Sequence, residues 1–460
     1  MAEGARRDRA PVDAPGYDVI VVGAGPAGSC AATVLARAGR RVLLLERGPF
    51  PGSKNMYGGV IYPRILDGLH PQWWESAPVQ RWVTRRSTMM LTDTQAFSVD
   101  FRSEAWGRPP YNGATAFRPD FDAWLAERAV ADGATLACAT TATELLFDHA
   151  GRTIGVRTDR PDGDVLAPVV IACDGVNSFL AKQAGLYGGG DGGDGASIAG
   201  RSPVGAHHYT VGVKQTLSLP RRVIEDRFAV RGRDGVDIEI VGGTGSVNGG
   251  AFLYTNLDSL AFGVVLDMQR LGRQQQRPED IIERLKRHPA LAPLVEGSEV
   301  AEYSAHVIPE GGVAMMPKMV GDGLLVAGDA AALCLAAGIW LEGVNFAMAS
   351  GVYAGEAAID ALAAGDTSRD GLAGYLRRLE ATFVLRDHRK LRRAPALVLS
   401  DRVQHLYPHL VAGTMEAMFR VDNPEPKPGL RRIVAAERKR LGVRRRDLVR
   451  DAVTAWRSYG

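Results

Sequence analysis

The stretch Tyr17-Asp18-Val19-Ile20-Val21-Val22-Gly23-Ala24-Gly25-Pro26-Ala27-Gly28 decides the fold of this 460-residue chain. A β-branched strand enters a glycine turn, a helix of small residues leaves it, and a second apolar strand ends at Glu46. Gly23 permits the tight turn, Gly25 lets backbone amides approach a pyrophosphate, and Gly28 lets the helix pack closely against the strand. We therefore expect a dinucleotide site, with phosphates at the helix N-terminus and ribose hydroxyls at Glu46.

A second motif lies far downstream, where the apolar strand Leu324-Leu325-Val326-Ala327 is followed by Gly328 and Asp329. Ligands bind at the C-terminal ends of parallel strands, so Asp329 is a candidate ligand contact. Gly343-Val344-Asn345 then begins a helix predicted over 346–362, whose free amides can stabilise negative charge on a flavin ring. FAD is long enough to reach both motifs, so we expect its adenosine end at residues 23–46 and its ribityl chain at Asp329.

The composition is that of a soluble globular protein, with 46% hydrophobic and 23% charged residues. The four cysteines stand singly, which predicts reduced thiols, no metal site and no iron–sulfur cluster. Residues 1–16 are charged and contain proline, so we expect a disordered lead-in without a secretion signal and a cytoplasmic protein. No Ser/His/Asp arrangement or pair of carboxylates is evident, and no catalytic residue is assigned.

The patterning predicts an α/β chain, α+β overall, in which a Rossmann FAD-binding domain carries an inserted, mostly antiparallel β-sheet domain and a helical C-terminal region. Asp120 is the predicted N-cap of a helix over 117–129, and residues 187–205 are a predicted flexible loop. The predicted limits are 17–75, 110–185 and 318–365 for the FAD-binding domain, 76–109 and 206–317 for the sheet domain that contacts substrate or acceptor, and 366–460 for the helical region with its basic tail.

Several stretches together resemble the electron-transfer flavoprotein–quinone oxidoreductase family, and most of all its FixC-like branch among the geranylgeranyl-reductase-related FAD oxidoreductases. They are the glycine turn, Phe50-Pro51-Gly52-Ser53-Lys54-Asn55, the segments 317–331 and 342–351, Tyr375–Asp387 and Leu406-Tyr407-Pro408. Two features depart from the family pattern. The chain has no four-cysteine ferredoxin-like domain, and Leu335–Leu341 resembles the corresponding segment only loosely.

The resemblance implies a glutathione-reductase-type FAD fold that carries electrons from an electron-transfer flavoprotein to quinone or to a ferredoxin-like protein. It implies electron-transfer flavoprotein subunits and a separate ferredoxin-like protein as partners, and it allows peripheral contact with the inner face of the membrane. The expected cofactor-binding residues are Gly23, Gly25, Pro26, Ala27, Gly28, Glu46, Arg47, Lys54, Asn55, Arg118, Asp174, Gly328, Asp329, Gly343, Val344 and Asn345.

Two other functions stay open on the same fold. One is a small-molecule enzyme, either a prenyl-chain reductase or an NAD(P)H-dependent hydroxylase. The other is a flavin-binding subunit without independent turnover.

The basic tail also has more than one reading. Residues 430–460 hold ten Lys or Arg against three acids. The stretch is compatible with a helix, and three interpretations stay open. The basic side chains form a solvated helix face, bind an anionic membrane surface, or bind an acidic protein. Nucleic acid is disfavoured as a partner, because nothing in the chain resembles a nucleic-acid-binding fold.

Overall fold

The computed structural model describes residues 16–54, 59–187, 208–338 and 340–460. Residues 1–15 of the predicted lead-in, most of the 187–205 loop and Asn55 therefore lie outside the described residues. The strands are β1 (Val19–Val22), β2 (Val42–Leu45), β3 (Gly59–Ile61), β4 (Val79–Leu91), β5 (Ala96–Arg102), β6 (Ala114–Ala116), β7 (Thr135–Ala137), β8 (Ala142–Phe147), β9 (Thr153–Thr158), β10 (Asp164–Leu166), β11 (Val169–Ala172), β12 (Tyr209–Ser218), β13 (Asp234–Gly242), β14 (Gly249–Thr255), β15 (Ser259–Asp267), β16 (Glu299–Pro309), β17 (Val320–Gly321), β18 (Leu324–Val326), β19 (Leu335–Ala336) and β20 (Leu341–Glu342).

Helices surround these strands and dominate the chain after β20. The α-helices are α1 (Pro26–Arg37), α2 (Leu66–Leu69), α3 (Arg118–Ala131), α4 (Phe179–Gln183), α5 (Arg221–Phe228), α6 (Met268–Gln274), α7 (Pro278–Lys286), α8 (Ala292–Val295), α9 (Val344–Ala364), α10 (Arg369–Leu372), α11 (Gly374–Ala381), α12 (Phe383–Lys390), α13 (Ala394–Val398), α14 (Tyr407–Phe419), α15 (Leu430–Arg440) and α16 (Arg445–Tyr459). Short 3-10 turns lie at Trp73–Glu75, Glu104–Gly107, Gly312–Met315 and Gly328–Ala331, and a π-helical turn lies at Arg402–Leu406.

The first layer is a six-stranded sheet in the order β17-β18-β11-β1-β2-β7. Strands β18, β11, β1, β2 and β7 run parallel, and β17 returns antiparallel at one edge. Strands β1, β2, β11 and β18 are buried along their whole length, as their continuous apolar runs predict for a parallel sheet covered on both faces. The C-terminal ends of β1, β11 and β18 therefore lie side by side at one edge.

The second layer is a nine-stranded sheet that is antiparallel except for the pair β4 and β13. Along each strand, successive side chains point to opposite faces of the sheet, so apolar residues on one face alternate with residues on the other. On one face, apolar side chains such as Val213, Ile238 and Phe262 form a core with helices α5, α7 and α8. The opposite face carries polar and charged side chains, which is unusual for strands this deeply buried.

The fold class predicted from the sequence is confirmed, with a nucleotide-binding sheet, a mostly antiparallel sheet and a helical C-terminal region. The short strands β3 and β6, which we placed in the FAD-binding domain, pair within the larger sheet. The domain limits themselves stay a prediction. Within the described ranges, no helix combines the length and the apolar composition needed to cross a membrane.

One helix start was predicted wrongly. Helix α3 begins at Arg118 with Phe117 as its N-cap, and Asp120 lies within its first turn. Pro119 explains the difference, because its fixed φ favours the first turn of a helix and so moves the start ahead of Asp120.

Candidate cofactor site

The glycine turn after β1 has the geometry that its sequence predicts. Gly23 has a φ of +102°, and a Cβ there would lie 2.3 Å from the carbonyl oxygen of Cys173. A Cβ on Gly28 would lie 1.9 Å from the Gly23 oxygen, so neither position accepts a side chain without moving backbone. Gly25 differs, because a Cβ there would meet no heavy atom within 4 Å. The protein itself therefore leaves room at Gly25, as close approach of a ligand to the backbone requires.

The N-terminus of α1 faces the same space. Gly25 is its N-cap, Pro26 is in its first turn, and no side chain caps its amides. The N–H groups of Ala27 and Gly28 lie in the first turn, where an α-helix offers no intrahelical acceptors. These amides and the helix dipole favour an anionic ligand at this point.

Glu46 ends β2 beside the turn, as the sequence predicts. Its Oε2 accepts a hydrogen bond from the Ala24 amide at 3.2 Å, and its Oε1 accepts one from the Gly48 amide at 2.6 Å. The two bonds fix the carboxylate, while each oxygen keeps a lone pair for a further donor such as a ribose hydroxyl. Arg47, the next residue, is exposed.

Asp174 follows β11 at the same sheet edge. Its Oδ2 accepts from the Leu180 amide at 3.1 Å, whereas its buried Oδ1 has no hydrogen-bond partner among the described residues. Burial raises the pKa of this carboxyl above its usual range. Such an orphaned oxygen at the end of a strand is available to a donor on a bound ligand.

Asp329 lies beyond β18, near two basic side chains that come from other parts of the chain. Burial raises its pKa, while His306 and Arg118 act in the opposite direction. Arg118 forms a two-pronged ion pair with Asp122, at 2.8 and 2.9 Å. Burial lowers the pKa of Arg118, but the carboxylates of Asp122 and Asp329 raise it by more. The pKa of Arg118 therefore lies above its ordinary value.

The N-terminus of α9 forms the other end of the candidate site. Gly343 is the N-cap, no side chain caps the helix, and Val344 begins its first turn. Asn345 donates from Nδ2 to Glu342 Oε2 at 2.5 Å, and its buried Oδ1 accepts no hydrogen bond within the described chain. A 21-residue helix with free first-turn amides can stabilise negative charge on a ligand ring.

Direct backbone contact between α1 and α9 joins the two ends of the site. A Cβ on Gly351 would lie 1.9 Å from the Ala27 oxygen, and a Cβ on Gly355 would lie 3.0 Å from the Ala31 oxygen. Gly328 closes the same junction, since its amide donates to Ser350 Oγ at 2.9 Å. Small residues thus hold α1, which follows the glycine turn, in direct contact with α9.

The Gly52 loop reaches the same region from β2. A Cβ on Gly52 would lie 2.7 Å from the Pro119 Cα, so the loop packs against the N-terminus of α3 beside Arg118. Lys54 is exposed. Its predicted position near the flavin, and that of Asn55, stay predictions.

Sequence reasoning missed the polar face of the nine-stranded sheet. Lys214 on β12 is 1% exposed, and burial lowers its pKa to about 7. The positive charge of Arg118 also lowers this pKa, whereas the carboxylate of Glu302 raises it. His306 on β16 lies near Asp329, Arg118 and Arg47, and burial lowers its pKa as well. These links to Arg118 and Asp329 show that the polar face borders the candidate site.

The same face carries the carboxylate pair that the sequence did not reveal, Asp237 and Glu239 on β13, with Arg86 between them. A signal was present, because charged residues alternate with Val236, Ile238 and Ile240 in an otherwise apolar strand. Alternation of this kind indicates a strand with one apolar face and one polar face, and the strand pairing then shows that the polar face is buried.

The residues present fit FAD. Gly25 offers a backbone cradle that a Cβ would fill, and Asp174 and Asn345 each present a buried oxygen without a partner in the described structure. The uncapped N-termini of α1 and α9 supply positive potential at two points joined by one helix contact. A dinucleotide with a diphosphate at one end and a ring that gains negative charge at the other matches this arrangement.

Comparisons with known proteins agree. A family model described as "FAD binding domain" matches residues 16–200, and one described as "ETF-QO/FixC family C-terminal domain" matches residues 394–460. A probable electron transfer flavoprotein-quinone oxidoreductase, YdiS of Escherichia coli K12, is 37% identical over 95% of this chain and 97% of its own length. Protein FixC of Azorhizobium caulinodans is 40% identical over 88% of this chain and 91% of its own length.

Solved structures of lower identity share the fold. A geranylgeranyl bacteriochlorophyll reductase-like protein from Thermoplasma acidophilum superposes with a TM-score of 0.69 at 21% identity, covering 93% of this chain and 99% of that one. The flavin-dependent brominase Bmp2 superposes with a TM-score of 0.60 at 17% identity, covering 96% of this chain and 99% of that one. These likenesses support the fold.

Proposed function

The chain belongs to the electron-transfer flavoprotein–quinone oxidoreductase/FixC family, and we propose from this premise that it relays electrons from an electron-transfer flavoprotein through FAD to a quinone or a ferredoxin-like acceptor. That the protein is an FAD-dependent oxidoreductase of electron transfer follows from the family. The donor and the acceptor are the proposal.

The observation that carries the proposal is the contact between α1 and α9, because it holds together the two helices whose N-termini form the candidate halves of the cofactor site. In the proposed arrangement the amides after Gly25 bind the diphosphate, and Glu46 binds the ribose. Asp329 binds the ribityl hydroxyls, and the N-terminus of α9, with Asn345, holds the ring. FAD supplies one- and two-electron chemistry when bound, and these residues set its position and potential.

The remaining predicted residues complete this arrangement. Asp174 lies at the junction of the cofactor halves, and Arg118 lies beside Asp329 with its charge balanced by Asp122. Lys54 and Asn55 are proposed to lie near the ring, and Arg47 near the adenosine end.

The proposed partners are electron-transfer flavoprotein subunits and a separate ferredoxin-like protein, and the proposed location is cytoplasmic or peripheral on the inner face of the membrane. The C-terminal helices support a docking role, because α16 exposes Val449, Val453 and Trp456, the last at 74%. These residues share one helix face, which is flanked by several arginines. An acidic protein or an anionic membrane surface would complement this surface.

Stopped-flow reduction of the FAD-loaded protein tests the proposal. We expect fast flavin bleaching with a reduced electron-transfer flavoprotein and slow bleaching with NADPH, followed by reoxidation on mixing with a quinone or an oxidised ferredoxin. Fast reduction by NADPH that requires an aromatic substrate, with none by the flavoprotein, would favour the hydroxylase reading instead. Saturation of a prenyl double bond by the reduced protein would favour the reductase reading. Retention of FAD without reaction towards any donor would indicate a flavin-binding subunit.

A further inference from the structure

Strand β13 carries two acidic side chains into a buried region of the sheet. Asp237 is 1% exposed and Glu239 is 6% exposed, and both point to the polar face while Ile238 between them packs in the apolar core. Arg86 on the parallel strand β4 stands in register with Asp237. The three side chains therefore form one cluster, the acid cluster, on the face that borders the cofactor site.

One guanidinium serves both carboxylates of the acid cluster. Arg86 Nε lies 3.0 Å from Asp237 Oδ2, and its terminal nitrogen lies 2.7 Å from Glu239 Oε1. Asp237 Oδ1 is buried and has no hydrogen-bond partner in the described part of the chain. An ionised carboxylate seldom leaves a buried oxygen unpaired, because desolvating the charge is costly.

The acid cluster reaches the N-terminus of α9 through one further carboxyl, that of Glu342. Glu342 accepts the Asn345 amide at 2.5 Å, and it interacts electrostatically with Arg86 and Glu239. The negative charge of Asp387 in α12 also acts on Glu342 and raises the pKa of its carboxyl group. Only the side chain of Glu342 separates Asn345 from Glu239. Negative charge on a ligand at Asn345 should therefore raise the proton affinity of Glu239.

Two tyrosines complete the surroundings of the acid cluster. Tyr254 on β14 stands opposite Asp237, and Tyr62, which follows β3, lies with its ring centroid 5.7 Å from the Arg86 guanidinium carbon. Burial raises the pKa of each phenol well above its usual range, and the nearby carboxyls add to the rise. Both tyrosines therefore stay neutral, and the carboxyls are the groups in the cluster that exchange protons near neutral pH.

The charges do not balance if every carboxyl is ionised. Asp237, Glu239 and Glu342 would carry three negative charges against the single positive charge of Arg86. Burial raises the pKa of both Asp237 and Glu239, the two carboxyls raise each other's proton affinity, and Arg86 opposes the rise. A proton is thus easily shared by the acid cluster, and added negative charge nearby draws in another.

We propose that the Asp237–Glu239 pair takes up one proton from water when two electrons enter the flavin ring at the N-terminus of α9, and releases it when they leave. The electrons come from the donor flavoprotein, or from dithionite in an experiment. Reduction of the ring by two electrons with one proton leaves one added negative charge, and protonation of one carboxylate of the pair offsets that charge. The inference rests on the flavin position proposed above.

The pH dependence of the FAD midpoint potential tests this inference without turnover. Anaerobic spectroelectrochemical titration of the FAD-loaded protein from pH 5.5 to 9 should show a range of pH in which the slope is two protons per two electrons. The double variant Asp237→Asn with Glu239→Gln, which removes both carboxyls of the pair, should remove one proton from the slope. One proton changes the equilibrium constant of reduction tenfold per pH unit. For a two-electron couple, this corresponds to about 30 mV in the midpoint potential per pH unit. A wild-type slope of one proton at every pH, or an unchanged slope in the double variant, would overturn the inference.

Asp100→Asn is the matched control. Asp100 pairs with Arg85, the neighbour of Arg86 on β4, at 2.8 Å and on the opposite face of the sheet. Its removal also takes a carboxylate from the sheet without touching the acid cluster, so the slope should stay at the wild-type value. A fall in the slope of this variant equal to that of the double variant would show that any lost carboxylate has the effect, and would also count against the inference.

A second measurement needs no variant. Infrared difference spectra of the wild-type protein should gain the band of a protonated carboxyl group on reduction, and its absence would contradict proton uptake by the pair. Failure of the wild-type protein to bind FAD would instead contradict the proposed cofactor site. Full FAD with a one-proton slope contradicts the proton uptake alone, so the two failures are distinguishable.

Discussion

The contact between α1 and α9 leaves no space for a side chain at Gly351. The substitution Gly351→Ala tests this contact by adding one methyl group. The added carbon would lie 1.9 Å from the Ala27 oxygen and 2.8 Å from the Ala27 carbonyl carbon. Both atoms belong to the backbone of α1, so no side-chain rotation relieves the clash. An ordinary contact needs about 3.5 Å, and α9 must therefore move by roughly 1.6 Å.

The expected cost follows from this displacement. Inserting a methyl group into a close-packed junction costs about 1–3 kcal/mol. The strain falls on the contact that aligns the glycine turn with Asn345, so FAD binding should weaken by about 5- to 150-fold. Titration of apoprotein with FAD, followed by quenching of flavin fluorescence, measures the change in dissociation constant.

Gly272→Ala in α6 is the control for Gly351→Ala. A Cβ at Gly272 meets no heavy atom within 4 Å, so the change adds the same methyl group without a clash. Alanine replaces glycine in a helix, and stability should rise by up to about 1 kcal/mol with FAD affinity unchanged. If Gly351→Ala bound FAD with wild-type affinity, the close crossing of the two helices would be refuted as the element that aligns the site.

Two further predictions concern partly buried carboxyls. Asp329→Ala removes a charged hydrogen-bond acceptor worth about 1.5–3 kcal/mol, so equilibrium dialysis should show FAD bound about 10- to 150-fold more weakly, and unchanged affinity would remove Asp329 from the site. Burial raises the pKa of Glu310 from its ordinary 4.5 to about 7. The folded state then holds this proton more tightly than the unfolded state, and stability falls as the pH rises through that window. Glu310→Gln should therefore raise the thermal midpoint above wild type by more at pH 8 than at pH 4.5, and an equal gain at both values would contradict the shift.

The parallel sheet and the two ends of the site were predictable because local sequence determines them. A β-branched run before Gly23 and an apolar run before Asp329 each specify a buried strand with a ligand-binding end. The closeness of the two ends was inferred only from the length of FAD. Its physical cause, the contact of Gly351 with Ala27, depends on how helices far apart in sequence cross, and no local pattern reveals it.

The polar face of the larger sheet was hidden for a similar reason. Strand pairing across long sequence separations brings Arg86 beside Asp237 and places Lys214 near Arg118. A charged residue in a strand is usually solvated, so the alternation in β13 did not indicate burial until its neighbours were known. The error at Asp120 was local, since the preference of Pro119 for a first turn outweighed an N-cap signal.

The most direct test of the account is the FAD content of Gly25→Val. The backbone at Gly25 is extended, and a Cβ there meets no protein atom within 4 Å, so the variant should fold with the thermal midpoint of wild-type apoprotein. The side chain would instead occupy the space proposed for the diphosphate, and the purified variant should lose its FAD while wild type retains it in stoichiometric amount. A folded Gly25→Val protein that kept its full complement of FAD would contradict the central claim that the cofactor lies across the glycine turn and the N-terminus of α9.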